Sequence, residues 1–309
     1  MASFIDFRNP PGSDSRADPL IRATSEPLWV RRLLIAIVLL FFILFLILPL
    51  VVVFQGALAS GLTSFLKNFT DHDILHSIQM TLIVALIAVP SNTLFGIAAA
   101  WAITRYSFRG RELLLALIDL PLWVSPVIGG LVYVLLYGRR GYLGPWLQAH
   151  DIRIIFALPG MVMATTFVTF PFVARSLIPL MQALGVEEEE AALTLGASGF
   201  QILRRITLPK IRWGLFYGVI LCNARAMGEF GAVSVVSAKI SGLTNTMPLE
   251  IEQLYNDYLF ASAFAIASAL SLLALITLVI KTFTEWENHR QIQAGQKAVL
   301  ENTIQKAVP

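Results

Sequence analysis

Charged side chains are scarce in this chain: Asp, Glu, Lys and Arg make up 14% of 309 residues, while 56% are hydrophobic. A typical soluble domain carries roughly 25% charge. With so little charge no water-soluble packing covers the apolar surface, which excludes an ordinary soluble enzyme. Cysteine occurs once, at Cys222, so neither an intrachain disulfide nor a Cys-based metal site can form. No glycine is followed by lysine, so the phosphate-cradling G-x-x-x-x-G-K-[ST] loop is missing and the chain has no means of its own to bind and hydrolyse ATP. There is no H-E-x-x-H motif either, and no nucleophile-base pair in the apolar segments. The sequence therefore offers no catalytic residue, no cofactor site and no metal site. His72 and His76, in DHDILH with Asp71 and Asp73, lack a third ligand and read as a solvated helix start.

Long apolar runs are what the chain has in abundance. Six stretches nearly free of charge cover residues 33–54, 77–104, 113–138, 154–174, 213–238 and 258–280. Each reaches or exceeds the roughly 20 residues that cross about 30 Å of hydrocarbon as a helix, and none shows the alternation of an outer-membrane strand. The expected fold class is all-α, a polytopic membrane protein with six transmembrane helices within residues 29–286. Residues 1–28, polar and with four prolines, read as a disordered cytoplasmic lead-in before an uncleaved first span, and residues 287–309 as a cytoplasmic tail.

Basic residues near span ends are retained in the cytoplasm. With the N-terminus inside, seventeen of the 23 Lys and Arg fall on the cytoplasmic side, Arg175 among them, and only Lys67, Arg139, Arg140, Arg153 and Lys239 fall outside. Both termini are thus expected to be cytoplasmic. Arg139 and Arg140, in GRRGYLG, run against the trend and read as a solvated turn. Span 1 is bulky all round, as suits a lipid-facing helix. Gly214, Gly218 and Cys222 in span 5 and Ala261, Ala265 and Ala269 in span 6 recur every fourth residue, which lets backbones approach closely and places both spans in the interior. Pro49, Pro90, Pro121, Pro126, Pro159 and Pro171 are expected to bend or interrupt helices.

The internal loop 179–212 is too regular for a tether. Gly185 ends one helix, Glu187, Glu188, Glu189 and Glu190 suit the positive end of the next, and Gly196 stops it. A second amphipathic piece, Phe200 to Ile206, comes next, and Pro209 suits the first turn of another helix. Two short helices bent at a glycine make a docking surface. Glu190-Ala191-Ala192, three residues, Gly196, nine residues, Ile206, one residue and Leu208-Pro209 resemble the EAA loop of permease subunits of bacterial ABC importers. Together with DLPLWVSPVIGGLVYVLLYG, ITLPKIRWGLFYGVILCNARAMGEFGAVSVVS and MPLEIEQLYNDY, this segment is similar to the sulfate/thiosulfate permease family of the CysW type, over residues from about 30 to 286. The resemblance implies a type I importer permease in a bacterial inner membrane. Its expected partners are two copies of an ATPase subunit, a second related permease and an extracytoplasmic sulfate/thiosulfate-binding protein. It also implies that Glu190, Ala191, Ala192, Gly196, Ile206, Leu208 and Pro209 couple the spans to the ATPase. A molybdate or tungstate permease would use the same architecture, and the residues leave sulfate and thiosulfate both open.

Arg225 and Glu229 lie in mid-span, where a lone charge costs roughly 2.5 to 3.5 kcal/mol. One helical turn apart, they can neutralise each other, either as a structural pair or as an arginine lining an oxyanion pathway with Glu229 restraining it. Gly228 and Gly231 favour local unwinding and exposed amides there. Ser125, Ser234 and Ser237 could offer hydroxyls, although serine more commonly bonds back to its own helix. Asp119 reads as structural.

Overall fold

The computed structural model describes residues 28–280 and Thr282. The expected lead-in and tail lie outside the described residues, Leu28 excepted. Of the described residues, those up to Val52 form one compact unit and those from Val53 another, and no strand occurs among them. Helix α1, Trp29–Leu58, has large apolar side chains exposed from Leu33 through Leu48, as a lipid-facing span requires.

The second unit comprises α2 (Leu62–Asn68), α3 (His72–Arg105), α4 (Arg111–Trp123), α5 (Pro126–Tyr137), α6 (Gly144–Ala149), α7 (Leu158–Ala183), α8 (Glu187–Thr194), α9 (Gly199–Ile202), α10 (Leu208–Met227), α11 (Gly231–Val236), α12 (Met247–Asn256) and α13 (Phe260–Ile280). Among the described residues four helices, α1, α3, α7 and α13, are long and apolar enough to cross a membrane. The pair α4 and α5, bent by 107°, makes five if counted as one span.

Two of the expected continuous spans are therefore broken. In run 113–138 the break falls at Val124 and Ser125, both with ψ near 130°, because the ring of Pro126 bars the helical conformation for the residue before it. In run 213–238 the break falls between Met227 and Gly231, where Gly228 and Gly231 lead the sequence to expect unwinding. The fourth run extends further than its apolar stretch: α7 continues to Ala183, so Arg175 sits inside a helix. Pro90 and Pro171 lie within unbroken helices, and Pro126 and Pro159 open theirs.

Helix α7 is the axis of the bundle. It packs against α3 through Ala85, Val89, Ala99, Ala100, Val173, Ala174 and Leu177, and a Cβ at Gly96 would lie 2.7 Å from Val173, so the two helices meet at backbone distance. Across α7 lies α10, whose Gly214, Gly218 and Cys222 face Leu180, Ser176 and the Thr169 carbonyl. That stripe is interior, as expected. Ala263, Ala265, Ile266 and Ser268 of α13 are also buried. At the centre, fully buried Asn92 of α3 donates to Thr169 Oγ1 (2.7 Å) and to the Thr166 carbonyl (3.1 Å). A membrane interior has no water to satisfy this amide, so α7 must supply the acceptors. Gly130 of α5 meets the Ala232 carbonyl and Val235 of α11, and Gly231 meets Pro126, so the two half-length helices pack side by side.

Candidate functional site

The connection from α7 to α10 is built by local rules. Gly185 turns the chain at φ 70°, and α8 starts two residues later with Glu187 to Glu190 filling its first turn, where the helix dipole favours anions. Its end is a Schellman motif: Ala197 N–H bonds to the Ala192 carbonyl (3.0 Å) and Gly196 N–H to the Leu193 carbonyl (3.0 Å). Gly196 has φ 85°, which a side chain would strain. Ser198 and Gln201 then form a capping box at α9, a Ser-x-x-Gln signal present in the sequence.

The entry to α10 differs from expectation. Pro209 does not open a separate helix: α9 continues through a π turn, Leu203–Thr207, into α10, with Leu208 N–H bonded to the Leu203 carbonyl. The widened turn relieves the clash between the proline ring and the carbonyl one turn back. A second π turn, Ile43–Ile47, stands at the same offset before Leu48-Pro49 in α1.

Glu189 anchors this connection. Its Oε2 lies 2.6 Å from Arg105 Nε, and Oε1 accepts from Arg105 Nη2 (3.0 Å) and Thr207 Oγ1 (2.6 Å). Arg105 also donates to the Met181 carbonyl at 3.2 Å. One nearly buried carboxylate thus ties α8 to the end of α3, the last turn of α7 and the π turn before α10. Outside it, Lys210 pairs with Glu188 at 2.7 Å. The EAA residues lie around this clamp. Glu190, Ala191, Gly196 and Pro209 are exposed, and Ala192, Ile206 and Leu208 are half-buried. Beside them Leu193, Leu195 and Phe200 are 62%, 88% and 70% exposed, apolar surface with no partner among the described residues.

The second cluster lies at the break between α10 and α11. Arg225 Nη1 is 2.5 Å from Glu229 Oε2, with the Glu229 side chain 1% exposed and that of Arg225 34%. Glu229 Oε1 accepts from the Ala232 N–H at 2.8 Å, so the carboxylate already occupies the amide that the unwound segment was expected to offer an anion. Arg225 keeps the open side. Ser234 Oγ bonds back to the Gly231 carbonyl (2.8 Å), the common fate of serine in a helix, while Ser237 Oγ, just past the end of α11, donates forward to the Thr244 carbonyl (2.8 Å). Gly228 caps α10. Arg225, Gly228, Glu229, Gly231 and Ser234 are therefore together, at one break, without all being free to contact a ligand.

A third pair joins α4 to α7: Arg175 reaches Asp119 in a two-pronged contact, Nε to Oδ1 at 2.8 Å and Nη2 to Oδ2 at 3.1 Å. The partner of Asp119, 56 residues away, was not legible. Glu250 was also missed. It is buried, accepting from Ser241 Oγ (3.0 Å) and Asn245 Nδ2 (2.7 Å). At the start of α3, Asp71 caps the helix through the Asp73 N–H (2.9 Å), and His72 is exposed beside it.

A bundle of apolar helices thus carries a clamped short-helix connection at one end and a charged break in one of its apolar segments. Comparison with known proteins gives the class: the chain belongs to the family of binding-protein-dependent transport system inner membrane components, whose model matches residues 92–285. It is 53% identical over 241 residues to the sulfate transport system permease protein CysW of Escherichia coli K12, covering 78% of this chain and 83% of that one. To the CysW protein of Synechocystis it is 52% identical over 256 residues, covering 83% and 93%. The E. coli CysT sulfate permease protein is 36% identical over 209 residues, covering 68% and 76%. Among solved structures, a chain of a bacterial alginate ABC transporter in complex with its periplasmic protein superposes with a TM-score of 0.69 at 18% identity, covering 89% of this chain and 98% of that one. That likeness shows the fold, that of a type I ABC permease.

Proposed function

We propose that this chain is the permease subunit of an ATP-driven importer that moves sulfate, and thiosulfate where the binding protein delivers it, into the cytoplasm. The observation that carries the reading is the EAA spacing on a clamped, outward-presented helix, in a chain at 52–53% identity to CysW sulfate permeases. Those relatives are named for sulfate, which removes the ground for a molybdate or tungstate reading.

In this reading the chain crosses the membrane six times with both termini cytoplasmic, the broken α10–α11 segment and the bent α4–α5 pair completing the crossings. A related permease of the CysT kind supplies the other half of the pathway. Two ATPase copies bind the cytoplasmic loops, and an extracytoplasmic protein brings the anion. The apolar surface of Leu193, Leu195 and Phe200, with Glu190, Ala191, Ala192 and Gly196, seats in the ATPase. Closure of the ATPase pair moves α8, and the Arg105–Glu189 clamp passes that displacement to α3 and α10, so the pathway alternates between its two openings.

At the break Arg225 supplies the positive charge that a dianion needs in hydrocarbon, and Glu229 limits how tightly it is held. Labelled sulfate uptake in cells lacking this chain tests the substrate: uptake falls to background, and unchanged uptake with no paralogue present would sink the assignment. Arg225→Ala tests the pathway. It is expected to abolish uptake while the complex still assembles; failure of assembly would make the pair structural.

A further inference from the structure

Arg139, Arg140 and Arg153 are three of only five basic residues expected outside the membrane, and they converge on one concavity. It has a volume of about 930 Å³ and is walled by the segment from the end of α5 to the start of α7. The retention of basic residues on the cytoplasmic side makes such a group unfavourable to place outside, so a solvated turn is an insufficient account of it. All three are exposed, and none forms an ion pair among the described residues. The only carboxylate in the lining is that of Asp151.

The surface is rigid and carries aromatics. Gly141 N–H bonds to the Gly138 carbonyl (2.7 Å), Leu143 N–H to the Leu136 carbonyl (2.8 Å), and Gln148 Nε2 to the Arg139 carbonyl (2.8 Å). On the same segment Tyr142 and Trp146 are 88% and 57% exposed. Arginine, tyrosine and tryptophan on a fixed backbone are the residue types that dominate protein–protein binding energy. The concavity is far larger than a lone tetrahedral oxyanion needs, and its open guanidinium forks match carboxylates.

The position agrees. The segment precedes α7 and α8 comes after it, so the 26 residues of α7 put the two about 39 Å apart at 1.5 Å per residue. Phe156 N–H, on the wall of the concavity, bonds to the Val236 carbonyl at the end of α11 (2.8 Å). The wall of the concavity is thereby bonded to the far end of α11, the helix that follows the charged break.

We propose that Arg139, Arg140 and Arg153, flanked by Tyr142 and Trp146, form the docking surface for an acidic face of the extracytoplasmic binding protein. This rests on the importer reading above. The charges steer the encounter and the aromatics hold it.

The test uses the complete transporter in phosphatidylcholine vesicles with purified sulfate-loaded binding protein from the same organism, and measures ATP hydrolysis against binding-protein concentration at low and high salt. For R139Q/R140Q/R153Q the half-saturating concentration is expected to rise about tenfold or more at low salt, with most of its salt dependence lost. Hydrolysis without binding protein, and the melting temperature, stay at wild-type values. Tyr142→Ser with Trp146→Ser, which leaves the charges in place, is expected to weaken binding while keeping the salt dependence. The same half-saturation and salt response in the triple variant as in wild type would overturn the proposal. So would a defect that appears only when phosphatidylglycerol is added, which would make the surface a lipid site. A wild-type complex that hydrolyses ATP but does not respond to the binding protein at all would overturn the importer reading along with it.

Discussion

Arg225 and Glu229 stand one turn apart on α10 and the break that ends it, and the carboxylate has two partners: the guanidinium at one oxygen and the Ala232 N–H at the other. Those contacts can be separated. Glu229→Gln keeps an oxygen for the amide but removes the charge that competes for Arg225, so the break is preserved and the arginine is left free for a dianion. In vesicles the variant is expected to show a lower half-saturating sulfate concentration and a lower maximal rate, because tighter binding slows release. Both variants lose the charge pairing with Arg225, but Glu229→Ala also leaves the Ala232 N–H without its acceptor, which for a buried donor costs about 1 to 3 kcal/mol. Its complex should melt well below that of Glu229→Gln, and equal melting would show that the amide contact contributes little.

Helix α8 owes its attachment to a pair that no local pattern predicts. Its beginning and end were legible, because four glutamates, Gly185 and Gly196 act within a few residues of their own positions. The capping box at Ser198 was there to be read. The clamp was not: Arg105 and Glu189 are 84 residues apart, and nothing distinguishes Glu189 from its three neighbours until α3 and α7 bring Arg105 to it. The same holds for Asp119 with Arg175. The bend between α4 and α5 and the π turn before Pro209 both result from proline sterics; the apolar run 113–138 hides the bend in a count of spans, although Pro126 was expected to interrupt its helix, and the π turn lies in the connection 179–212, where a proline reads equally well as a helix start. The clamp is open to a reciprocal test. Arg105→Glu and Glu189→Arg are each expected to lower the melting temperature of the complex, by an amount equivalent to about 3 to 5 kcal/mol, and to reduce the sulfate moved per ATP hydrolysed. The double variant, with the charges exchanged, should recover most of both. Recovery of stability without recovery of the transport ratio would show that the pair holds α8 in place but does not transmit its movement.

At the scale of the whole molecule, the two ends of the bundle carry opposite kinds of surface, apolar around Leu193, Leu195 and Phe200 and cationic around Arg139, Arg140 and Arg153. Leu195→Asp with Phe200→Asp touches only exposed positions, so it should leave the melting of the permease pair unchanged while abolishing co-purification of the ATPase subunit. Persistent co-purification would place the contact elsewhere. Between these ends the interior is sealed by polar bonds that span long stretches of sequence, and that fact acts before the protein is finished. Asn92 is made first, and its acceptors at Thr166 and Thr169 come 74 and 77 residues later, which at 5 to 20 residues per second is a wait of about 4 to 15 s. For that interval α3 has reached the bilayer with an amide that lipid cannot satisfy. Slower synthesis between Asn92 and Thr169 is therefore expected to lower the yield of correctly assembled permease, and Asn92→Leu, which has no amide to satisfy, to remove that dependence.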